Sequence, residues 1–127
     1  GQSSITMTLS VRPLVSLRMM SKTYVIDIDG TICSQKEVGE YEGSEPFPDR
    51  IAQINKLYDE GNKIVFLTAR GMGMFSGSVK CSYDRWYKVT LEQLKKWNVK
   101  YHELYLGKPA GDFYIDDKAL KDTDFFE

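Results

Sequence analysis

Histidine is almost absent: among 127 residues only His102 carries an imidazole. That scarcity leaves histidine-based triads and His-rich zinc centres without their parts. His102 itself, in the run before Gly107, reads as structural. Cysteine is nearly as rare. Cys33 and Cys81 stand too far apart for a metal-binding pattern and read as reduced thiols in a cytoplasmic protein. No apolar run approaches the roughly 20 residues that a membrane-spanning helix needs. Neither sign of charge is in excess, with 17 basic against 18 acidic residues and a net charge of -1. Such a balance gives no electrostatic drive toward nucleic acid or a membrane surface. Repeats and low-complexity tracts are missing as well. Acids are missing from the first 22 residues, which carry Arg12, Arg18 and Lys22 among many Ser and Thr. That composition imitates an organelle transit peptide. An opening on Gly1 favours instead a disordered leader or expression-derived tail over 1–21, with Met19 or Met20 a plausible native start. Residues 22–127 then form one domain, long enough for a single core.

What the chain does have is alternation. The pattern predicts strand 22–28, loop 30–47, helix 49–60, strand 63–68, loop 69–82, helix 83–97, strand 101–106 and strand 113–116. Ile51, Ile54, Leu57 and Tyr58 fall on one face of the first helix, and Gly61 stops it. Tyr87, Leu91 and Leu94 mark the second, flanked by Trp86 and Trp97. Strands alternating with helices imply an α/β fold, a Rossmann-like three-layer sandwich on a mainly parallel sheet. One spacing resists this: the six residues 107–112 are too few for the usual parallel crossover before the last strand.

Each strand ends in chemistry. Tyr24-Val-Ile-Asp27-Ile-Asp29-Gly30-Thr31 runs an apolar strand into two carboxylates at i and i+2, on one side of the chain. Buried carboxylates are costly unless something binds them, and a divalent cation is the natural ligand. Lys63-Ile-Val-Phe-Leu-Thr68-Ala69-Arg70 ends in a hydroxyl and a guanidinium. Gly107-Lys108-Pro109 follows the third apolar run, and Phe113-Tyr-Ile-Asp116-Asp117 empties the fourth into paired acids. In open α/β sheets, ligands bind outside the carboxyl ends of the strands.

This ordered set resembles the haloacid dehalogenase-like hydrolase superfamily, whose four motifs match Asp27/Asp29/Gly30/Thr31, Thr68, Lys108 and Asp116/Asp117. The likeness spans 22 to about 120. Thr68-Ala69-Arg70 with Gly107-Lys108-Pro109 and Phe113-Tyr-Ile-Asp116-Asp117-Lys-Ala further resembles small stand-alone members encoded in bacterial capsule and surface-polysaccharide gene clusters. The resemblance implies a capless phosphatase domain over 22–127. Asp27 would be the nucleophile that forms an aspartyl-phosphate, and Asp29 the acid–base partner. Asp29 distinguishes phosphatases from dehalogenases and from ion-pumping ATPases. Mg²⁺ would be held by Asp27, the Asp29 carbonyl and Asp116, with Asp117 in support. Gly30, Thr68, Ala69, Arg70 and Lys108 would bind phosphate or substrate, Arg70 gripping a second anionic group or a sugar. That metal site stands or falls on Asp27 and Asp116 reaching one cation.

Neither inter-motif gap has room for a cap domain. Residues 31–48 suffice for a hairpin-like flap and 69–82 for a mobile loop, with Tyr83, Arg85 and Trp86 as candidate lining. Loops or a neighbouring copy in a homo-oligomer would then exclude water. The expected activity is Mg²⁺-dependent hydrolysis of a small phosphorylated metabolite, a sugar phosphate on the narrower resemblance. Two alternatives stand beside it: a non-catalytic metal- and phosphate-binding module, and a phosphatase acting on a macromolecular phosphate. The lack of a basic stripe weighs against nucleic acid.

Overall fold

A computed structural model describes residues 21–127 of the chain. The leader expected over 1–21 lies outside them except for its last residue. Three strands, β1 (Thr23–Ile26), β2 (Lys63–Thr68) and β3 (Glu103–Leu106), form a parallel sheet in the order β1-β2-β3. Ile26 lies level with Phe66, and Phe66 with Leu104. Helix α1 (Pro48–Asp59) joins β1 to β2, and α2 (Val79–Lys96) joins β2 to β3. A short α3 (Asp122–Phe125) closes the chain. The α/β, Rossmann-like class expected from the alternation holds.

Local chemistry fixes the helix bounds. Proline at the start of α1 needs no hydrogen-bond partner for its nitrogen, and its fixed φ suits a first turn. Gly61, at φ 96°, turns the chain out of that helix toward β2. Helix α2 starts four residues before the expected 83. Ser78 caps it, its hydroxyl accepting from the Cys81 amide at 3.2 Å. Residues 69–78 are therefore not an open mobile loop. Met72 is buried, and the amides of Met72, Phe75 and Gly77 donate to the carbonyls of Ala69, Gly71 and Met72. Gly71 is required there: at φ +83° a Cβ would lie 2.8 Å from the Trp86 ring and 2.9 Å from Ser82 Oγ.

The core gathers on one face of the sheet. Ile26, Ile64, Phe66, Leu104 and Leu106 pack with Ile51 and Ile54 of α1 and Trp86 and Leu94 of α2. Both helices thus cover the same face. Trp86 is central to this packing rather than flanking it, while Tyr87 and Leu91 are only half-buried. On the opposite face Val65 is buried, but Val25 and Tyr105 are exposed and no described helix packs there, so the described residues form two layers rather than the expected three-layer sandwich. His102 is structural as expected, its Nδ1 accepting from the Ile64 amide and its ring stacking on Tyr58.

The largest departure is at 113–116, where no strand forms. Residues 109–121 are all exposed. The physical reason is the one the spacing raised: six residues cannot carry the chain from the end of β3 back to the start of a further parallel strand.

Candidate active site

Asp27 and Asp29 leave β1 at its carboxyl end, where the chain turns at once. Gly30, at φ +80°, donates its amide to the Cys33 carbonyl at 2.8 Å. Gly30 therefore shapes the turn, and its amide is committed within it rather than offered to phosphate. The following segment folds back as the expected flap, with the Ser34 amide donating to the Glu45 carbonyl and Phe47 to Ile32. Thr68 ends β2, and Lys108 follows β3, its amide donating to the Thr68 carbonyl at 3.2 Å. Three strand ends so deliver their polar side chains to one cleft.

That cleft has a volume of about 280 Å³. Asp27, Asp29, Thr68, Ala69, Arg70 and Lys108 line it, all of them expected from the sequence. Gln35, Tyr41, Ala110, Gly111 and Tyr114 complete the wall and were not among the expected site residues. Tyr114 alone left a trace, lying beside the acidic pair. Its ring faces the Lys108 ammonium at 4.1 Å. Lys108 Nζ lies 3.7 Å from Asp27 Oδ1. Burial pushes the Asp27 carboxyl above the usual aspartate range, and Lys108 draws it back in part. Thr68 is buried, and its Oγ1 accepts from the Arg70 amide at 3.2 Å. Its own proton has no acceptor among the described residues and remains available in the cleft.

Arg70 corrects the sequence reading. Rather than reaching out to substrate, its guanidinium is fully buried and forks onto Asp29, Nε to Oδ2 and Nη2 to Oδ1, both at 2.9 Å. Its Nη1 donates to Thr90 Oγ1 at 3.1 Å and to Gln93 Oε1 at 2.6 Å. The Tyr41 ring lies 5.0 Å from the guanidinium carbon. Arg70 is thus a positioning residue that fixes Asp29 and ties β2 to α2. Thr90 and Gln93 were missed, although a threonine inside the buried stripe of α2, between Trp86 and Leu94, is itself a signal of a polar partner. Tyr83, Arg85 and Trp86 do not line the cleft either. Tyr83 accepts from the Leu106 amide, Arg85 lies over the Trp86 ring, and Trp86 is core.

Cys33 sits behind Asp29, and burial with the neighbouring carboxylate pushes its thiol up to about 12. It is an inert thiol, whereas Cys81 is exposed. One cysteine per chain is therefore expected to react with an aromatic disulfide reagent at pH 8 in the folded protein, and two after denaturation. Two equally fast reactions in the native state would contradict this burial.

The expected metal site is not assembled. Asp116 and Asp117 are exposed and do not line the cleft. The amide of Lys118 donates to Asp116 Oδ1 at 2.9 Å, which holds that carboxyl below its ordinary value. Among the described residues no three acid, histidine or cysteine side chains come close enough to hold one ion. Asp27 and the Asp29 carbonyl are two of the three expected ligands, and the third stands apart. Nor is any described helix long and apolar enough to cross a membrane.

Neither a family model nor a curated protein matches the chain. A crystal structure of a target protein from Vibrio cholerae matches at 34% identity with a TM-score of 0.75, covering 82% of this chain and 86% of that one. The name of that protein states no activity. At such identity and coverage, the chain belongs to the same family as the Vibrio cholerae protein.

Proposed function

We propose that the protein is a phosphomonoester hydrolase for a small phosphorylated metabolite, working through an aspartyl-phosphate. The observation that carries this reading is the meeting of Asp27, Thr68 and Lys108, from three separate strand ends, in one cleft. A structural role does not explain why a carboxylate should be desolvated beside an ammonium with a buried hydroxyl proton to spare.

In this reading an Asp27 oxygen attacks phosphorus in line, and the bond to the ester oxygen breaks. Thr68 donates to a phosphoryl oxygen, and Lys108 offsets charge on both the phosphoryl group and Asp27. Asp29 gives a proton to the leaving alkoxide, then takes one from the water that releases phosphate. A carboxylate has about four lone-pair sites. The guanidinium of Arg70 occupies two, one on each oxygen, and so fixes how the carboxyl group is presented to the cleft. Arg70 is committed to Asp29, and Lys108 lies beside Asp27, so the cleft has little positive charge to spare for a phosphate dianion. Mg²⁺ belongs to the proposal as the missing positive charge. The ligand set of a single chain does not fit it without Asp116. A cytoplasmic location rests on the reading of Cys33 and Cys81 as reduced thiols, and a sugar phosphate substrate on the family resemblance.

Phosphate release from a panel of phosphorylated sugars, polyols and nucleotides, with and without Mg²⁺, tests the reading. Turnover on at least one compound is expected, and Lys108→Met should lower both rate and phosphate affinity with the fold retained. Tight phosphate binding without turnover would favour the alternative of a binding module.

A further inference from the structure

The exposed segment 109–121 is anchored at both ends. Lys108 is held to Thr68, and Asp122 pairs with Arg50 at 2.8 Å. Phe125 of α3 packs on Tyr24 of β1. Between these anchors large apolar side chains stand out in solvent: Phe113 is 85% exposed and Ile115 97%. An alternating apolar stretch left in water is unstable unless something covers it. The same molecule carries a surface of matching kind. β1 is an edge strand among the described residues, and its Val25 is 63% exposed. Such an edge presents unpaired amides and carbonyls to any extended segment that reaches it.

We propose that Phe113–Asp116 of one copy adds as a fourth parallel strand to β1 of a second copy, reciprocally, and brings Asp116 to the partner's cleft. The arm cannot do this within its own chain. A strand parallel to β1 starts at the opposite end of the sheet from Gly107 and three strand positions away. Passing around a face to reach it needs roughly 30 Å, whereas six residues extend to about 20 Å. A second copy removes that restriction. The register follows from the sequences. Phe113-Tyr-Ile-Asp116 beside Tyr24-Val-Ile-Asp27 puts Phe113 and Ile115 on the core face, next to Phe125, while Tyr114 gives up its contacts with Lys108 and the Pro109 carbonyl of its own chain to lie beside Val25. Asp116 then stands level with Asp27 on a neighbouring strand about 5 Å away, close enough for both carboxylates to hold one divalent cation. Two such arms with the edges they cover bury on the order of 1,000 Å², which is what a specific dimer needs. The shared site, though not the strand exchange, rests on the phosphatase reading above.

Sedimentation of the wild type should give twice the 14.6 kDa chain mass. A Phe113→Lys/Ile115→Lys variant should give the single mass with an unchanged circular dichroism spectrum, because both side chains are exposed in one chain. Asp27→Asn and Asp116→Asn proteins, each inactive, should recover about a quarter of wild-type phosphate release after co-refolding in equal amounts, since half the dimers are mixed and each has one intact site. A wild type of single-chain mass, or a dimer indifferent to the two lysines, overturns the exchange. An active wild-type dimer whose two variants fail to complement overturns the shared site. Should no compound be hydrolysed by the wild type, the function falls and the mass measurements alone decide the exchange.

Discussion

Arg70→Met is expected to destabilise the domain by about 3–5 kcal/mol, the usual cost of leaving one member of a buried ion pair without its partner. The guanidinium is fully buried, and the Asp29 side chain is only 10% exposed. Removing Arg70 strands that carboxylate and also leaves Thr90 and Gln93 without the donor they accept from. For a domain of this size such a loss lowers the melting temperature by roughly 15 °C or more. Arg70→Lys should fall between, since an ammonium keeps the charge but cannot fork across two oxygens while reaching α2. The double variant Arg70→Met/Asp29→Asn should regain much of the loss, because no unpaired charge is left inside. Melting curves at pH 7 decide it. A shift of Arg70→Met within about 2 °C would show that the pair contributes nothing to the fold.

Asp27→Asn is expected to lower phosphate release by roughly 10³-fold or more while the protein stays folded, as removal of a nucleophile does elsewhere. The variant's stability should follow from the sign of the Asp27 shift. Burial raises that carboxyl in the folded state, so the native protein binds this proton more readily than the unfolded chain. The wild type therefore loses stability as pH rises from the ordinary aspartate range through the raised value, and the Asn variant does not. Activity has the opposite dependence. It needs the ionised carboxylate, so kcat/KM should fall on acidification through that same raised value. Lys108 is the main influence lowering the Asp27 carboxyl, so Lys108→Met should move this acid limb to higher pH. An acid limb unmoved in Lys108→Met, or an Asp27→Asn protein with wild-type turnover, would remove Asp27 from the chemistry.

The β2 bounds were legible to the residue, because Ile64–Leu67 is an unbroken apolar run between Lys63, just past a glycine-marked turn, and the hydroxyl of Thr68. The start of α2 was not, since Val79 to Ser82 has no apolar periodicity and only the Ser78 cap marks it. Cleft residues that follow strands were readable, as β-strand ends are short and directional. Tyr41 and Gln35 were not, because they reach the cleft from the flap, whose path depends on pairing between Ser34 and Glu45.

Alternation of apolar strands with amphipathic helices determined the α/β class by itself, and polar residues at strand ends determined where the cleft lies. Only the tertiary structure decided that Arg70 serves Asp29 rather than a ligand, since a guanidinium's role depends on which side of the sheet end it is buried. The placement of Asp116 was likewise beyond the linear pattern. A motif records which residues lie next to a strand, but whether that strand can form depends on the distance its connection must span, and six residues cannot span it.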